Sequence, residues 1–368
     1  MFAKALGERT SLTYTARLSH HLAIGSRLWI DIITSECLLQ EITNKGNPSN
    51  VIIVGGIGFI GSHFVDRLLD DPSVTAVTVF DNLSSGHLWH LEKHETDSRL
   101  KKVVADVRDI DALVEAATGH HTMIHLASNP DIAAAATNPA IDFDQGTLLT
   151  HSVAEAARIA DVKTVLYASG SGVYGELGEI EANEDYGPLI PVSTYAASKL
   201  AGEALLSSYA YMFNLRSLAF RFGNVVGPRQ THGVGFDFVR KLKSDSSQLK
   251  ILGDGNQSKS YVYVEDVIDA VLLANKKETK PFEVFNVATG DYITVTEIAL
   301  LACEALELDA KKVRFDYSGG DRGWKGDVPI VRLSSERIRS YGWRPKKNCA
   351  EALLASMQAM VEEPRILD

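Results

Sequence analysis

The segment Val51-Ile-Ile-Val-Gly55-Gly56-Ile57-Gly58-Phe59-Ile60-Gly61 constrains this chain more than any other part of it. Four consecutive β-branched residues read as a strand buried on both faces, because a half-exposed strand alternates apolar with polar. The glycines that follow have the roles of a phosphate-binding turn. Gly55 permits the tight turn, Gly58 lets backbone amides approach a pyrophosphate, and Gly61 allows close packing of the helix expected over 62–69. Similar β-branched runs recur at 74–80, 102–105, 122–125 and 164–168, separated by helix-length segments such as 150–160. Strands buried on both faces and alternating with helices imply a parallel sheet. The fold class is therefore α/β, a Rossmann-like doubly wound parallel sheet, with a smaller mixed C-terminal substrate domain.

A glycine trio alone is a weak signal, since a glycine-rich turn without a ligand shows the same spacing. The second run, however, ends at Phe80-Asp81, about 26 residues after Gly55, where an acidic side chain binds both ribose hydroxyls of a dinucleotide and repels a 2′-phosphate. NAD is preferred over NADP on this reading.

Three segments follow along the chain. Residues 1–48 are an extension of unassigned role, with a loose helical apolar pattern through Leu18, Leu22, Trp29, Ile33 and Ile42 and no clean apolar run ahead of a small-residue cleavage site. Residues 49–228 form the NAD-binding domain and 229–368 the substrate-binding region, with a helix near 236–243, a strand near 249–252, a helix from Val264 and a strand at 284–287 that rejoins the sheet. Lys+Arg total 37 against Asp+Glu 47, a formal charge of −10, and no basic block appears, which disfavours nucleic acid as a partner. No run of about 18 apolar residues exists to cross a membrane. Cys37, Cys303 and Cys349 form no CxxC pair, so no zinc site or disulfide framework is expected and reduced thiols of a cytoplasmic protein are.

Tyr195-Ala-Ala-Ser-Lys199 opens a helix-forming run, 196–206, and i,i+4 spacing puts both side chains on one helix face. A nearby ammonium favours the phenolate, which fits the tyrosine for general acid and base work. Most lone Tyr/Lys pairs at this spacing are surface contacts. Here the order along the chain is glycine loop, acidic strand end, Asp106-Val107-Arg108-Asp109, His125-Leu126-Ala127-Ser128, Ser169-Gly-Ser171-Gly-Val-Tyr174-Gly175, then Tyr195 and Lys199. From about Val51 to Ala350 the sequence resembles the extended short-chain dehydrogenase/reductase family, specifically its NAD-dependent nucleotide-sugar epimerases and dehydratases, and among them looks most like the UDP-glucose 4-epimerases.

The resemblance implies that Gly55, Gly58, Phe59, Ile60 and Gly61 line the pyrophosphate, that Asp81 and Asn82 hold the adenine ribose, and that Asp106 with Val107 flanks adenine. Leu126, Ala127 and Ser128 would follow the cofactor, and Lys199 would reach the nicotinamide ribose. Asn224 would touch the nucleotide-sugar phosphates, and the run from Gly253 through Lys259 and Tyr261 resembles the loop where a cation meets the diphosphate. A nucleotide-sugar substrate and a homodimer are implied with these. Some positions depart from the family pattern. Gly170 stands where a Ser or Thr usually holds the reacting sugar oxygen, so that role passes to Ser171, with Ser169 in reserve. Gly146 replaces a frequent Asn, Lys259 a more usual Arg, and Trp324 stands where a diphosphate-binding Arg is expected, a contact that passes to Arg322.

His87, His90 and His94 have i, i+3, i+7 spacing, yet no carboxylate or cysteine completes a ligand set, so solvated histidines and no metal are expected. Family dehydratases carry an acidic pair just before the Val-Tyr-Gly segment, whereas this chain has Ser171 and Gly172. The resemblance therefore implies epimerisation at C4 of a UDP-hexose, with Tyr195 removing the 4-hydroxyl proton, the C4 hydride passing to NAD and returning to the other face of a 4-keto sugar. A dehydratase, a reductase, a UDP-glucuronate epimerase and a non-catalytic NAD-binding scaffold are the alternatives.

Overall fold

The computed structural model describes residues 49–324 and 326–367. The 1–48 extension and Cys37 lie outside the described residues. Seven strands form the central sheet: β1 Asn50–Val54, β2 Ala76–Asp81, β3 Leu100–Val104, β4 Thr122–His125, β5 Thr164–Gly170, β6 Arg216–Phe222 and β7 Phe282–Val287. Their order is β7-β6-β5-β4-β1-β2-β3, every neighbour parallel. The chain builds outward from β1 through β2 to β3, then crosses back to β4. The reversal lies between β1 and β4, and the connections leaving their carboxyl ends diverge there into a crevice.

Among the described residues, eight α-helices are eight residues or longer: α1 Phe59–Leu69, α2 Ile110–Ala117, α3 Leu148–Ile159, α4 Thr194–Phe213, α5 Val234–Ser244, α6 Val264–Lys277, α7 Val295–Ala305 and α8 Cys349–Glu362. Successive strand residues face opposite sides of the sheet, so β1 contributes to two cores. Val51 and Ile53 pack with Phe64 and Leu68 of α1 and Val267 and Val271 of α6. Ile52 and Val54 pack with Leu113 of α2, Val153 of α3 and Leu206 of α4. A third core joins Phe238 and Leu242 of α5, Ile298 of α7 and Met357 of α8. The segments after 228 are interleaved with the sheet: Tyr261–Tyr263 pairs with Asn224–Val226, and β7 pairs with β6.

β6 is absent from the sequence-based strand set because Arg216, Ser217 and Arg221 interrupt its apolar run. Tertiary partners remove that objection. Arg216 donates to the Asn275 amide and to the Asn275 and Glu278 carbonyls, and Arg221 is buried against Glu203. α4 also runs well past residue 206. Ser193 caps its start by accepting from the Ala196 amide, and it stops at Asn214, whose left-handed φ of 57° ends the helix.

The histidine expectation is corrected. His90 and His94 are buried, since the turn Leu88–His94 packs on α1 and the glycine loop. His90 Nδ1 donates to the Ile57 carbonyl at 2.8 Å, and His94 Nε2 donates to Asp66 at 2.7 Å. His63 on α1 donates to the Pro228 carbonyl at 2.9 Å. Burial, with a further push from the Arg229 charge, lowers His63 to about 4. Burial likewise brings His90 to about 4, overriding its hydrogen bond to Ile57, which favours the proton.

Both rings are neutral in the folded chain and take up protons more readily when it unfolds. Their contribution to stability is therefore complete above the ordinary histidine range near 6.5 and is lost as pH falls from there towards 4. The melting temperature is expected to fall across that window, and His90→Asn is expected to flatten the fall. Identical pH dependence in wild type and variant would show that His90 carries none of it.

Candidate active site

The glycine loop is built by crowding. A Cβ on Gly55, whose φ is +82°, would stand 2.7 Å from the Ala127 nitrogen just beyond β4, and a Cβ on Gly61 would stand 2.3 Å from the Gly55 carbonyl. Only glycine lets β1, β4 and α1 approach so closely. No side chain caps α1, whose N-cap is Gly58, so its first amides remain available to an anion. Asp81 is fixed by the same loop: its Oδ2 accepts from the Ile57 amide at 3.0 Å and its Oδ1 from the Leu83 amide at 2.8 Å.

A cavity of about 710 Å³ opens from this loop along the carboxyl ends of the strands. All of the sequence-assigned cofactor positions line it: Gly55, Gly58, Phe59, Ile60 and Gly61, then Asp81 and Asn82, Asp106 and Val107, and Leu126, Ala127 and Ser128. The donor set fits a dinucleotide, with uncapped helix amides for a diphosphate and a carboxylate for ribose hydroxyls. The Ser128 hydroxyl is buried in the cavity wall and has no hydrogen-bond partner among the described residues, leaving one polar contact for a ligand. Asp106 is tied to Arg108 through both oxygens, at 2.9 and 2.6 Å, and the guanidinium holds its carboxyl down at about 2.

Tyr195 and Lys199 share the face of α4 that lines the cavity. Lys199 is buried, its Nζ donates to the Ala168 carbonyl of β5 at 2.9 Å, and it stands 5.4 Å from the centre of the Tyr195 ring. A strand carbonyl thus steadies a cation beside the phenol. His125, on β4, is not a second base. Burial, and then the Lys199 charge, push it down to about 3, and its Nε2 shares a hydrogen bond with Thr150 at 3.1 Å.

On the substrate side the two serines part. Ser169 lines the cavity but is largely buried, and its hydroxyl donates to Glu203 of α4 at 2.5 Å. Ser171 begins the turn Ser171–Tyr174 immediately after β5, within the cavity wall. Gly170 is extended, with φ −156°, and a Cβ there would meet nothing within 4 Å. The usual hydroxyl position is open space.

Asn224, Lys259 and Tyr261 line the cavity. The Asn224 amide donates to the Ser260 carbonyl at 3.2 Å, Lys259 is paired with Asp327 at 2.5 Å, and burial pushes the Tyr261 phenol well above its usual range. Arg322 is the exception among the assigned residues. It bonds Glu176, lies near Asp321 at 3.5 Å, and does not line the cavity, whereas Trp324 and Asp327 do. Sequence reasoning missed Asp142, which is buried and accepts from Asn129 at 2.8 Å and from Thr194 at 2.6 Å, joining the loop after β4 to the residue before Tyr195. No local pattern marks it, since its partners lie 13 and 52 residues away.

The model of the NAD dependent epimerase/dehydratase family matches residues 51–288, and the chain belongs to that family. The UDP-glucose 4-epimerase of Mycolicibacterium smegmatis is 32% identical over 314 residues, covering 83% of this chain and 97% of that one. Among solved structures, a UDP-galactose 4-epimerase superposes with a TM-score of 0.74 at 34% identity, over 85% of this chain and 99% of that one. A dTDP-glucose 4,6-dehydratase of Streptomyces venezuelae, solved with NAD bound, gives 0.78 at 26% identity, over 86% and 98%. The protein is accordingly an NAD-dependent enzyme of the nucleotide-sugar epimerase type.

Asp81 sets the expected cofactor preference. Titration is expected to show tighter binding of NAD(H) than of NADP(H), and Asp81→Ala is expected to narrow the gap while lowering the melting temperature, because the Ile57 and Leu83 amides lose their acceptor. Equal or tighter NADP(H) binding by the wild type would contradict this role.

Proposed function

We propose that the protein interconverts the C4 epimers of a UDP-hexose of the glucose/galactose type through a transient 4-keto sugar, as a cytoplasmic homodimer. The observation that carries this reading is that Tyr195 and Lys199 line one cavity with Gly170-Ser171-Gly172, a segment with no acid in it. Elimination of water from the sugar needs an added acid and base, whereas epimerisation needs one proton-handling group and room for the keto sugar to turn. The open space at Gly170 is consistent with that room.

Bound NAD supplies a two-electron acceptor that is regenerated within each turnover. Tyr195 takes the 4-hydroxyl proton and later returns it. Lys199, beside the Tyr195 ring, would reach the nicotinamide ribose. Ser171 hydrogen-bonds the sugar oxygen as charge develops on it. Asp81 and Asn82 hold the adenine ribose, and the amides of 58–61 face the diphosphate of the cofactor. Asn224 and Lys259 face the phosphates of the nucleotide sugar, with Lys259 exchanging Asp327 for the ligand. Among the described residues, exposed Phe143, Leu148 and Ile159, with Tyr211 and Met212 near the end of α4, offer apolar side chains to a second copy.

Nucleotide sugars incubated with the protein and followed by NMR and mass spectrometry are expected to give an isomer of unchanged mass with no lasting nicotinamide reduction. A product lacking water would sink the epimerase reading in favour of a dehydratase. Tyr195→Phe is expected to lose about 10²–10⁴-fold in kcat with NAD affinity nearly intact. Ser171→Ala is expected to lose on the order of 10–1000-fold in kcat, more than it raises KM. Wild-type kcat in Ser171→Ala would leave proton handling to Tyr195 alone.

A further inference from the structure

Residues 170–172 place a glycine on each side of Ser171, and glycine is the least restricted backbone of all. Such a stretch is a poor platform for a reacting hydroxyl unless its ends are held, and both are. Before it, Ser169 donates to Glu203 Oε1 at 2.5 Å. After it, the Tyr174 hydroxyl accepts from Arg221 Nη1 at 2.9 Å and has two acceptors for its proton, Asn286 Oδ1 at 2.8 Å and the Asn183 carbonyl at 3.0 Å. Glu203 and Arg221 join the two ends, with Arg221 Nε and Nη2 reaching the two carboxylate oxygens at 2.9 and 2.7 Å. These side chains are 4% and 5% exposed.

The network also reaches the catalytic helix. Glu203 lies four residues after Lys199 and eight after Tyr195, so it continues their face of α4. Lys199 holds the Ala168 carbonyl and Glu203 holds Ser169, which gives α4 a grip on two successive residues of β5. Arg221 is the register partner of Ser169 on β6, and Asn286 is the register partner of Arg221 on β7. One polar row therefore crosses three strands and ends on the helix that carries Tyr195.

A buried ion pair is a weak source of stability, because desolvation offsets its Coulomb attraction, but a fully satisfied network fixes geometry. We propose that Glu203, Arg221, Tyr174 and Ser169 are positioning residues that clamp Gly170-Ser171-Gly172 at a set distance from Tyr195. The proposal rests on the reading of Tyr195 as the proton-transfer group and of Ser171 as the hydroxyl that binds the sugar oxygen.

Ser169→Ala, Ser169→Thr and Tyr174→Phe alter the edges of the clamp and leave the Glu203–Arg221 pair in place. Full-length variants are compared by amide hydrogen exchange over 169–175 and by kinetics on whichever nucleotide sugar the wild type converts. Ser169→Ala and Tyr174→Phe are expected to speed exchange in that segment alone and to lower kcat by about 10–100-fold. NAD affinity and KM should stay within about twofold, and Ser169→Thr, which keeps the hydroxyl, should restore both exchange and kcat. Faster exchange with unchanged kcat would overturn the clamp as a positioning device. Lower kcat with unchanged exchange would overturn it too, by giving Ser169 a direct chemical role. A wild type that converts no nucleotide sugar refutes the function proposed above instead, and exchange in 169–175 then decides the clamp: unchanged exchange overturns it.

Discussion

Three backbones meet at the carboxyl end of β1 at distances that no side chain tolerates. The turn at Gly55 lies against the chain leaving β4, the start of α1 presses on the Gly55 carbonyl through Gly61, and Gly56 abuts Val79 of β2. This contact sets the crevice at the strand-order reversal, brings the amides of α1 to its floor, and turns the Ile57 amide onto Asp81. His90 braces the loop from behind, through the Ile57 carbonyl. The geometry of the rest of the cavity is measured from this point, because β4 and β5 extend the same parallel register to Ser169 and Gly170 in the cavity wall.

The second organising element is α4. Its length lets one helix face carry a phenol, an ammonium and an ion-paired carboxylate in succession, at Tyr195, Lys199 and Glu203. Each docks on β5 or on the cavity beside it, so the tyrosine is held relative to the strand end and not merely relative to its own helix. Asp142 holds the start of that helix by bonding Thr194 and Asn129 together. A buried lysine is costly without partners, and here the Ala168 carbonyl and two aromatic rings, those of Tyr195 and Tyr167, surround it.

Much of this was legible in the sequence where the signal is local. The β-branched run, the glycine spacing and the acid after the second strand are short-range consequences of a buried strand and a tight turn, and the cofactor wall follows from them. The Tyr195/Lys199 pair is legible for the same reason, since helical periodicity alone puts both on one face. What escaped is long-range. β6 was hidden because Arg221 looks like a solvated residue until Glu203 is placed beside it. The orientation of Ser169 depends on that same Glu203, 34 residues away. Arg322, the expected diphosphate contact, bonds Glu176, 146 residues earlier, and lies off the cavity wall. Charge pairing across such distances leaves no mark on the spacing of either partner.

The central claim is that the C4 hydrogen leaves and returns within one site while Tyr195 handles only the hydroxyl proton. A UDP-hexose carrying deuterium at C4 tests this most directly, with the product analysed by NMR. The account predicts that the epimer retains the deuterium at C4, because the position never exchanges with water. Loss of the label to solvent, or its appearance at another carbon, would contradict it.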